Sequence, residues 1–182
     1  MNLYKFLAIF CFLTTTLTTA QNKEITLKDI WSNGTFRTER LDALHSMNNG
    51  QQYSVLNFDR STGATTIDIY DYKTLKKVKT LVDSKTLDGI RNFSDYTFSD
   101  DETQVLLATN QESIFRRSTL ANYYVYNTKT KELTAVASDK IQEPTFSPNG
   151  EMVAYGLNNN LYIKNLISQE TTQLTFDGEK NK

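Results

Sequence analysis

A repeated turn-and-strand unit constrains the fold of this chain more than any other feature of its sequence. One copy opens at Phe98-Ser99-Asp100-Asp101-Glu102 and another at Phe146-Ser147-Pro148-Asn149-Gly150-Glu151, 48 residues further on. Each opening turn leads to an apolar strand, a second strand, a polar turn and a last, threonine-containing strand. A weaker copy begins at Ser46, 53 residues before Ser99. Four-stranded units at this spacing are typical of propeller blades.

Short alternating runs of β-branched and aromatic residues predict the individual strands. The clearest runs are residues 53–58, 66–70, 105–108, 123–126, 152–155 and 161–163, and weaker closing runs are residues 76–82, 132–136 and 171–175. After residue 40 the sequence shows no sustained helical periodicity. The sequence therefore predicts an all-β fold, the N-terminal fragment of a β-propeller with about three four-stranded blades and a short helical leader.

The opening turn of the third copy gives the repeat a chemical basis. Pro148 presets φ at the second turn position, while Asn149 and Gly150 tolerate the positive φ that a chain reversal needs. Pro144 is expected to begin a strand, because proline lacks the N–H group that an inner ladder requires. A small β-sandwich of similar strand content is the alternative, but it does not require the same pattern three times.

The first twenty residues have the features of a secretory signal peptide. Lys5 supplies a positive charge, residues 6–13 are apolar, and Thr18-Thr19-Ala20 is a small-residue stretch after which cleavage is predicted. A membrane anchor is the alternative, but the apolar run is shorter than the roughly 20 residues that span a bilayer. The sequence therefore predicts export to the periplasm or the medium without a stable membrane anchor.

The mature chain is expected to have two parts, a leader at residues 21–41 and a partial propeller at residues 42–182. In the leader, Thr26-Leu27-Lys28-Asp29 predicts the start of a short helix, because a threonine hydroxyl and a carboxylate can bind the first free N–H groups. Ile30, Trp31 and Phe36 give this leader apolar side chains that need a partner surface.

Composition argues against several classes of function. The formal net charge is -1 with acidic and basic residues interleaved, so nucleic acid is not an expected partner. The single cysteine, Cys11, lies in the signal segment, and the single histidine, His45, is expected to be structural. Neither a disulfide framework nor a metal site is predicted, and no cofactor is expected. The sequence contains no Gly-x-Ser-x-Gly motif, so no catalytic residue is predicted.

Several segments resemble the N-terminal part of secreted bacterial dipeptidyl-peptidase IV enzymes of the prolyl oligopeptidase family. The most specific is Ile114-Phe115-Arg116-Arg117-Ser118, which is followed by the tyrosine-rich Ala121-Asn122-Tyr123-Tyr124-Val125-Tyr126. In the family these positions hold an aromatic residue, an arginine, often a histidine, and a serine. The other matching segments are residues 25–31, 34–36, 92–99, 158–164 and 174–181.

The resemblance implies a role in substrate binding. In that family the propeller caps an α/β-hydrolase domain, filters substrates and admits peptide N-termini to a serine, aspartate and histidine triad. Arg116 would donate hydrogen bonds to a substrate carbonyl near the N-terminus and pair with two glutamates that hold the α-amino group. Those glutamates are expected shortly after residues 178–181, and the sequence stops at Lys182, so the resemblance implies a truncated propeller without a triad. Arg117 stands where histidine is common and is given no role.

The partners implied by the resemblance are a peptide with a free N-terminus and the hydrolase domain of the same parent protein. A homodimer of the full-length protein is one assembly that it allows. Without the resemblance, Arg116 and Arg117 would be an ordinary solvated pair on the loop between Ala108 and Tyr123. There are two alternatives. One is a related peptidase that releases tripeptides, and the other is a non-enzymatic exported β-propeller that serves as a scaffold for protein interaction.

Overall fold

The computed structural model of the chain describes residues 24–38, 44–116 and 118–180. The predicted signal peptide, Cys11 and Arg117 lie outside the described residues. The described residues fall into two units, a leader of residues 24–38 and a β-rich unit of residues 44–180. Within these ranges, no helix combines the length and the apolar character that crossing a membrane requires.

The leader contains one short helix, α1 (Leu27–Trp31), with Thr26 as its N-cap. The Asp29 N–H donates to Thr26 Oγ1 over 3.2 Å, and the Thr26 N–H donates to Asp29 Oδ2 over 3.1 Å. This reciprocal pair is a capping box, and it satisfies two backbone donors that the first turn leaves free. The helix start predicted from Thr26-Leu27-Lys28-Asp29 is thereby confirmed.

The twelve strands within residues 44–180 form three four-stranded sheets, which are called blades 1, 2 and 3 in chain order. Blade 1 consists of β1 (Leu44–Ser46), β2 (Gln52–Asp59), β3 (Ala64–Asp71) and β4 (Lys77–Asp83), and a 3₁₀ turn (Ser84–Thr86) follows it. Blade 2 consists of β5 (Asp95–Phe98), β6 (Gln104–Ser113), β7 (Thr119–Asn127) and β8 (Leu133–Ala135). Blade 3 consists of β9 (Gln142–Phe146), β10 (Met152–Leu157), β11 (Asn160–Asn165) and β12 (Thr171–Gln173).

Each strand pairs in antiparallel fashion with the next strand of its blade, so each blade is a meander. This arrangement confirms the predicted all-β fold with three propeller blades. The repeat deduced from the sequence is one strand out of phase, because the turns at Ser46, Phe98 and Phe146 join the first and second strands. The first strands β1, β5 and β9 are short and only partly buried, which gives them a weak sequence pattern.

The opening turns have the geometry that their residues predict. The Gly150 N–H donates to the Ser147 carbonyl over 2.8 Å, and the equivalent bond in blade 2 joins Glu102 N–H to the Ser99 carbonyl over 2.9 Å. Gly150 has a φ of 70° and Glu102 a φ of 57°, which is the left-handed region that favours glycine. Blade 2 therefore keeps the turn without its glycine.

A second repeated turn joins the third and fourth strands of every blade. Asp71, Asn127 and Asn165 begin these turns, and each side-chain oxygen accepts a backbone N–H two or three residues further on. The fifth residue of each turn has a positive φ, namely Leu75, Lys131 and Gln169. Asp and Asn favour such turns because their short side chains can bind nearby backbone.

Apolar side chains fill the spaces on both sides of blade 2. The core between blades 1 and 2 contains Ile67, Val82, Leu87, Ile90, Phe93, Tyr96, Val105, Leu107 and Tyr126. The core between blades 2 and 3 contains Leu106, Val125, Val136, Ile141, Val153 and Tyr155. Val105 and Leu107 therefore face blade 1 while Leu106 faces blade 3, as alternation along a strand requires. Burial of both faces explains the uninterrupted apolar run of β6.

Hydrogen bonds also connect the opening turns of neighbouring blades. The Asn48 N–H donates to Glu102 Oε1 and Asn48 Nδ2 donates to the Asp100 carbonyl, both over 2.6 Å. Gln104 Nε2 donates to the Gly150 carbonyl over 2.7 Å. Polar contacts at one end of the strands thus supplement the apolar contacts between the blades.

Pro144 does not begin a strand, contrary to the prediction. It is the third residue of β9, where the pairing with β10 shifts register between Ala154 and Gly156. Glu143, just before the proline, has a φ of 46°. The irregularity removes the regular ladder position that would need a proline N–H, so the strand continues past the proline.

The face of blade 1 that points away from blade 2 carries a buried carboxylate. Asp68 accepts hydrogen bonds from Asn57 Nδ2 over 2.8 Å, Thr80 Oγ1 over 2.7 Å and Thr66 Oγ1 over 3.2 Å. Lys77 Nζ lies 2.8 Å from Asp68 Oδ1. Burial acts to raise the pKa of Asp68, but the bonds from Lys77, Thr80 and Asn57 outweigh it and hold the pKa below its usual value.

We expect Asp68→Asn to lower the free energy of unfolding by about 1–3 kcal/mol at pH 7, because a bonded buried charge is lost. Because the pKa of Asp68 is lower in the folded state than in the unfolded state, the ionised side chain stabilises the fold above about pH 4. This stabilisation is lost as the pH falls through the folded-state pKa. Urea unfolding of the wild-type protein and of Asp68→Asn between pH 7 and pH 2 measures the difference in free energy of unfolding. The difference should shrink towards pH 2, and exposed Asp88→Asn serves as the control. A difference independent of pH would show that the charge of Asp68 does not stabilise the fold.

Candidate functional site

Arg116 lies at the tip of the hairpin that joins β6 and β7. The chain turns between Ser113, where β6 ends, and Thr119, where β7 begins. The Ile114 N–H and the Phe115 N–H donate to the Ser118 carbonyl, over 2.8 Å and 3.3 Å. Arg116 is exposed, and the neighbouring Phe115 is 76% exposed. The hairpin therefore presents a permanent cation and an aromatic ring to solvent.

This loop is shorter than the sequence predicts. The prediction was a loop from Ala108 to Tyr123, whereas β6 and β7 pair regularly up to Thr109 and Asn122 and then pair again from Glu112 with Leu120. The register shift between the two stretches is a β-bulge on β6. A bulge bends its strand and re-aims the residues beyond it, so the tip of the hairpin can leave the plane of the blade.

Two carboxylates from neighbouring strands, Asp95 and Glu143, lie close to Tyr123 on β7. Tyr123 is partly buried, and burial, followed by the negative charges of Asp95 and Glu143, raises the pKa of its phenol. These three residues help to line a cavity of about 140 Å³. Asp95 on β5 and Glu143 on β9 therefore place negative charge beside Tyr123, whereas Arg116 places positive charge at the tip of the hairpin.

The structure also gives definite positions to Glu112 and to His45, the histidine that the sequence predicts to be structural. Glu112, which is close to Arg116 in the sequence, forms an ion pair with Lys140. The ring of His45 lies edge-on to Tyr96 with 4.9 Å between centroids, and the Tyr96 hydroxyl is 2.8 Å from Ser54 Oγ. His45 thus contributes to the contact between blades 1 and 2, in agreement with a structural role. The described residues contain no cluster of side chains suited to a metal ion.

Sequence reasoning missed the close packing of Gly178. The segment after β12 folds over the turn between β10 and β11, where the Gly178 N–H donates to Asn160 Oδ1 over 3.1 Å. A Cβ atom at Gly178 would lie 2.0 Å from the Asn159 carbonyl oxygen, so only glycine fits. A glycine beside Asp177 is an ordinary turn signal, and nothing nearby in the sequence reveals this tertiary contact.

The repeated four-stranded meanders, packed face to face through alternating side chains, define a β-propeller. Comparison with known families makes the assignment more specific, because the model of the dipeptidyl peptidase IV (DPP IV) N-terminal region matches residues 99–182. The chain belongs to the dipeptidyl peptidase IV family, which confirms the resemblance of its sequence to the N-terminal part of these enzymes.

Individual relatives extend the similarity over most of the chain. The crystal structure of Porphyromonas gingivalis dipeptidyl peptidase 4 matches with a TM-score of 0.75 and 32% identity, covering 88% of this chain and 23% of that one. Human prolyl endopeptidase FAP is 30% identical over 164 residues, which are 88% of this chain and 20% of the relative. Dipeptidyl peptidase 4 of Trichophyton rubrum is 36% identical over 91 residues, 48% of this chain and 12% of the relative. The chain thus spans about a fifth of the human and bacterial relatives.

We expect Gly178→Ala to displace residues 176–180, because its new methyl group cannot coexist with the Asn159 carbonyl. Displacement should break the bond that Leu161 N–H donates to Thr175 Oγ1 over 2.9 Å, and so speed amide exchange at Leu161. Hydrogen exchange measured by NMR would detect this. Gly156→Ala is a matched control, since its Cβ would lie 3.7 Å from the nearest atom. Equal exchange at Leu161 in both variants would show that the close approach has no consequence.

Proposed function

We propose that this chain is the N-terminal propeller part of a secreted serine exopeptidase that releases dipeptides of the X-Pro type from peptide N-termini. The observation that carries the proposal is Arg116, exposed at a hairpin tip in a chain 32% identical to P. gingivalis dipeptidyl peptidase 4. The propeller admits and binds the peptide. The serine, aspartate and histidine triad belongs to an α/β-hydrolase domain outside this sequence, and serine chemistry of this kind requires no cofactor.

Arg116 is the substrate-binding residue in this proposal. Its guanidinium donates hydrogen bonds to a carbonyl near the substrate N-terminus and pairs with two glutamates that hold the free ammonium. A planar cation with several donors suits both tasks, because it can bind a carbonyl and a carboxylate at the same time. The exposed position of Arg116 supports this role, since the side chain is accessible to a peptide.

Binding of the substrate's α-ammonium group explains why such an enzyme releases short peptides from the N-terminus of its substrate. An internal peptide segment has no ammonium group, so the carboxylates of the site would remain unpaired when it binds. Leaving buried charges unpaired is unfavourable, and the site therefore selects chain ends. The enzyme acts in the periplasm or outside the cell, where the segment at residues 1–20 directs it.

We expect Arg116→Ala in the full-length protein to lower kcat/KM for an X-Pro chromogenic substrate about 10- to 100-fold. This corresponds to the loss of a charge-assisted hydrogen bond of about 1.5–3 kcal/mol. Arg116→Lys keeps the charge but lacks the planar fork, so it should restore only part of the activity. Arg60→Ala, an exposed arginine between β2 and β3, is the control.

Steady-state kinetics on the purified variants decide between the two candidate functions. Wild-type kcat/KM in Arg116→Ala would remove the binding role. Absence of any peptidase activity in the correctly folded full-length protein would instead favour the alternative, a non-enzymatic exported scaffold for protein interaction.

A further inference from the structure

Two consecutive side chains near the base of the Arg116 hairpin bind the connections on either side of blade 2. Gln111 Oε1 accepts a hydrogen bond from Ser94 Oγ over 2.7 Å, and Glu112 Oε1 accepts one from Lys140 Nζ. Ser94 lies in the chain that enters blade 2, just before β5, whereas Lys140 lies in the chain that leaves it, just before β9. The hairpin is thus attached to both flanking connections.

The position of these contacts follows from the bulge on β6. The bulge lies between Thr109 and Glu112, and Asn110 within it has a φ of 50°. Beyond the bulge only Glu112 with Leu120 and Ser113 with Thr119 are paired before the loop begins. A two-stranded ladder with only two paired positions has little stability by itself. Contacts with neighbouring segments must therefore set the orientation of the hairpin.

Lys140, the partner of Glu112, is held in place by a buried backbone contact next to it in the chain. Ala121 and Ile141 are fully buried and exchange two backbone hydrogen bonds, of 3.2 Å and 2.9 Å. Lys140 precedes Ile141 directly and has a side chain that is 27% exposed, whereas the Glu112 side chain is 66% exposed. The lysine is therefore the fixed partner and the glutamate, on the hairpin, is the partner that it holds.

We propose that Gln111 and Glu112 are positioning residues that clamp the β6–β7 hairpin and so set the direction in which Arg116 is presented. The effect on peptide binding rests on the proposed function, whereas the clamp is a property of this chain alone. Solvent-exposed ion pairs contribute little free energy, about 0.2–1 kcal/mol, so the expected effects are about two- to fivefold.

Hydrogen exchange in the full-length protein tests the clamp independently of activity. Glu112→Lys and Lys140→Glu should each speed amide exchange of residues 112–120 about two- to fivefold, while the exchanged pair E112K/K140E should restore slow exchange. Lys73→Glu makes the same charge change as Lys140→Glu at an exposed site on blade 1 and should leave these amides unchanged. Gln111→Ala removes the bond to Ser94 and should have an effect of the same size. Unchanged exchange in all three single variants, with the rest of blade 2 intact, would overturn the clamp.

Kinetics then test the positioning role. The single variants should raise KM for an X-Pro substrate about two- to fivefold with kcat retained, because binding is weakened without loss of the reacting groups. In an Arg116→Ala background the same changes should have no further effect. Faster exchange with an unchanged KM would overturn the positioning role. If Arg116→Ala itself has no effect, the proposed function fails, and the exchange data still decide whether the clamp exists.

Discussion

The burial of both faces of blade 2 is the interaction on which the rest of the β-rich unit depends. Leu106 packs towards blade 3 while Val105 and Leu107 pack towards blade 1, so one strand contributes to two cores. Because side chains alternate between faces, a slip of one residue would exchange these two sets and disturb both cores at once. The packing therefore fixes the register of β6 and β7 at the root of the Arg116 hairpin.

The same packing explains why the functional candidate lies where it does. Regular burial on β6 ends at Thr109, and the next residue, Asn110, is exposed and has a positive φ. Beyond this point β6 leaves the core and carries polar groups to solvent, and the contacts of Gln111 with Ser94 and of Glu112 with Lys140 attach it to the connections on either side of the blade. Binding residues are often found on such loops because a stable scaffold leaves their sequence unconstrained by packing.

The parts of the fold that depend on short stretches of sequence could be predicted from the sequence. The helix start at Thr26, the turn at Gly150 and the longer strands of each blade follow from capping, turn geometry and alternation. The bulge at Asn110, the mid-strand position of Pro144 and the contact of Gly178 with Asn159 depend on segments that meet only in the folded chain. Arg116 could be predicted as a substrate-binding residue only because residues 114–118 resemble a family motif. An exposed arginine by itself has no distinctive local sequence pattern.

The role proposed for Arg116 is to bind the N-terminal part of a peptide. A crystal structure of the full-length protein with a bound peptide that has a free N-terminus would measure the distance from the Arg116 guanidinium to the nearest peptide carbonyl oxygen. We expect a hydrogen bond, with a distance of about 2.7–3.2 Å. A bound peptide with the Arg116 guanidinium directed away from it into solvent would contradict this role.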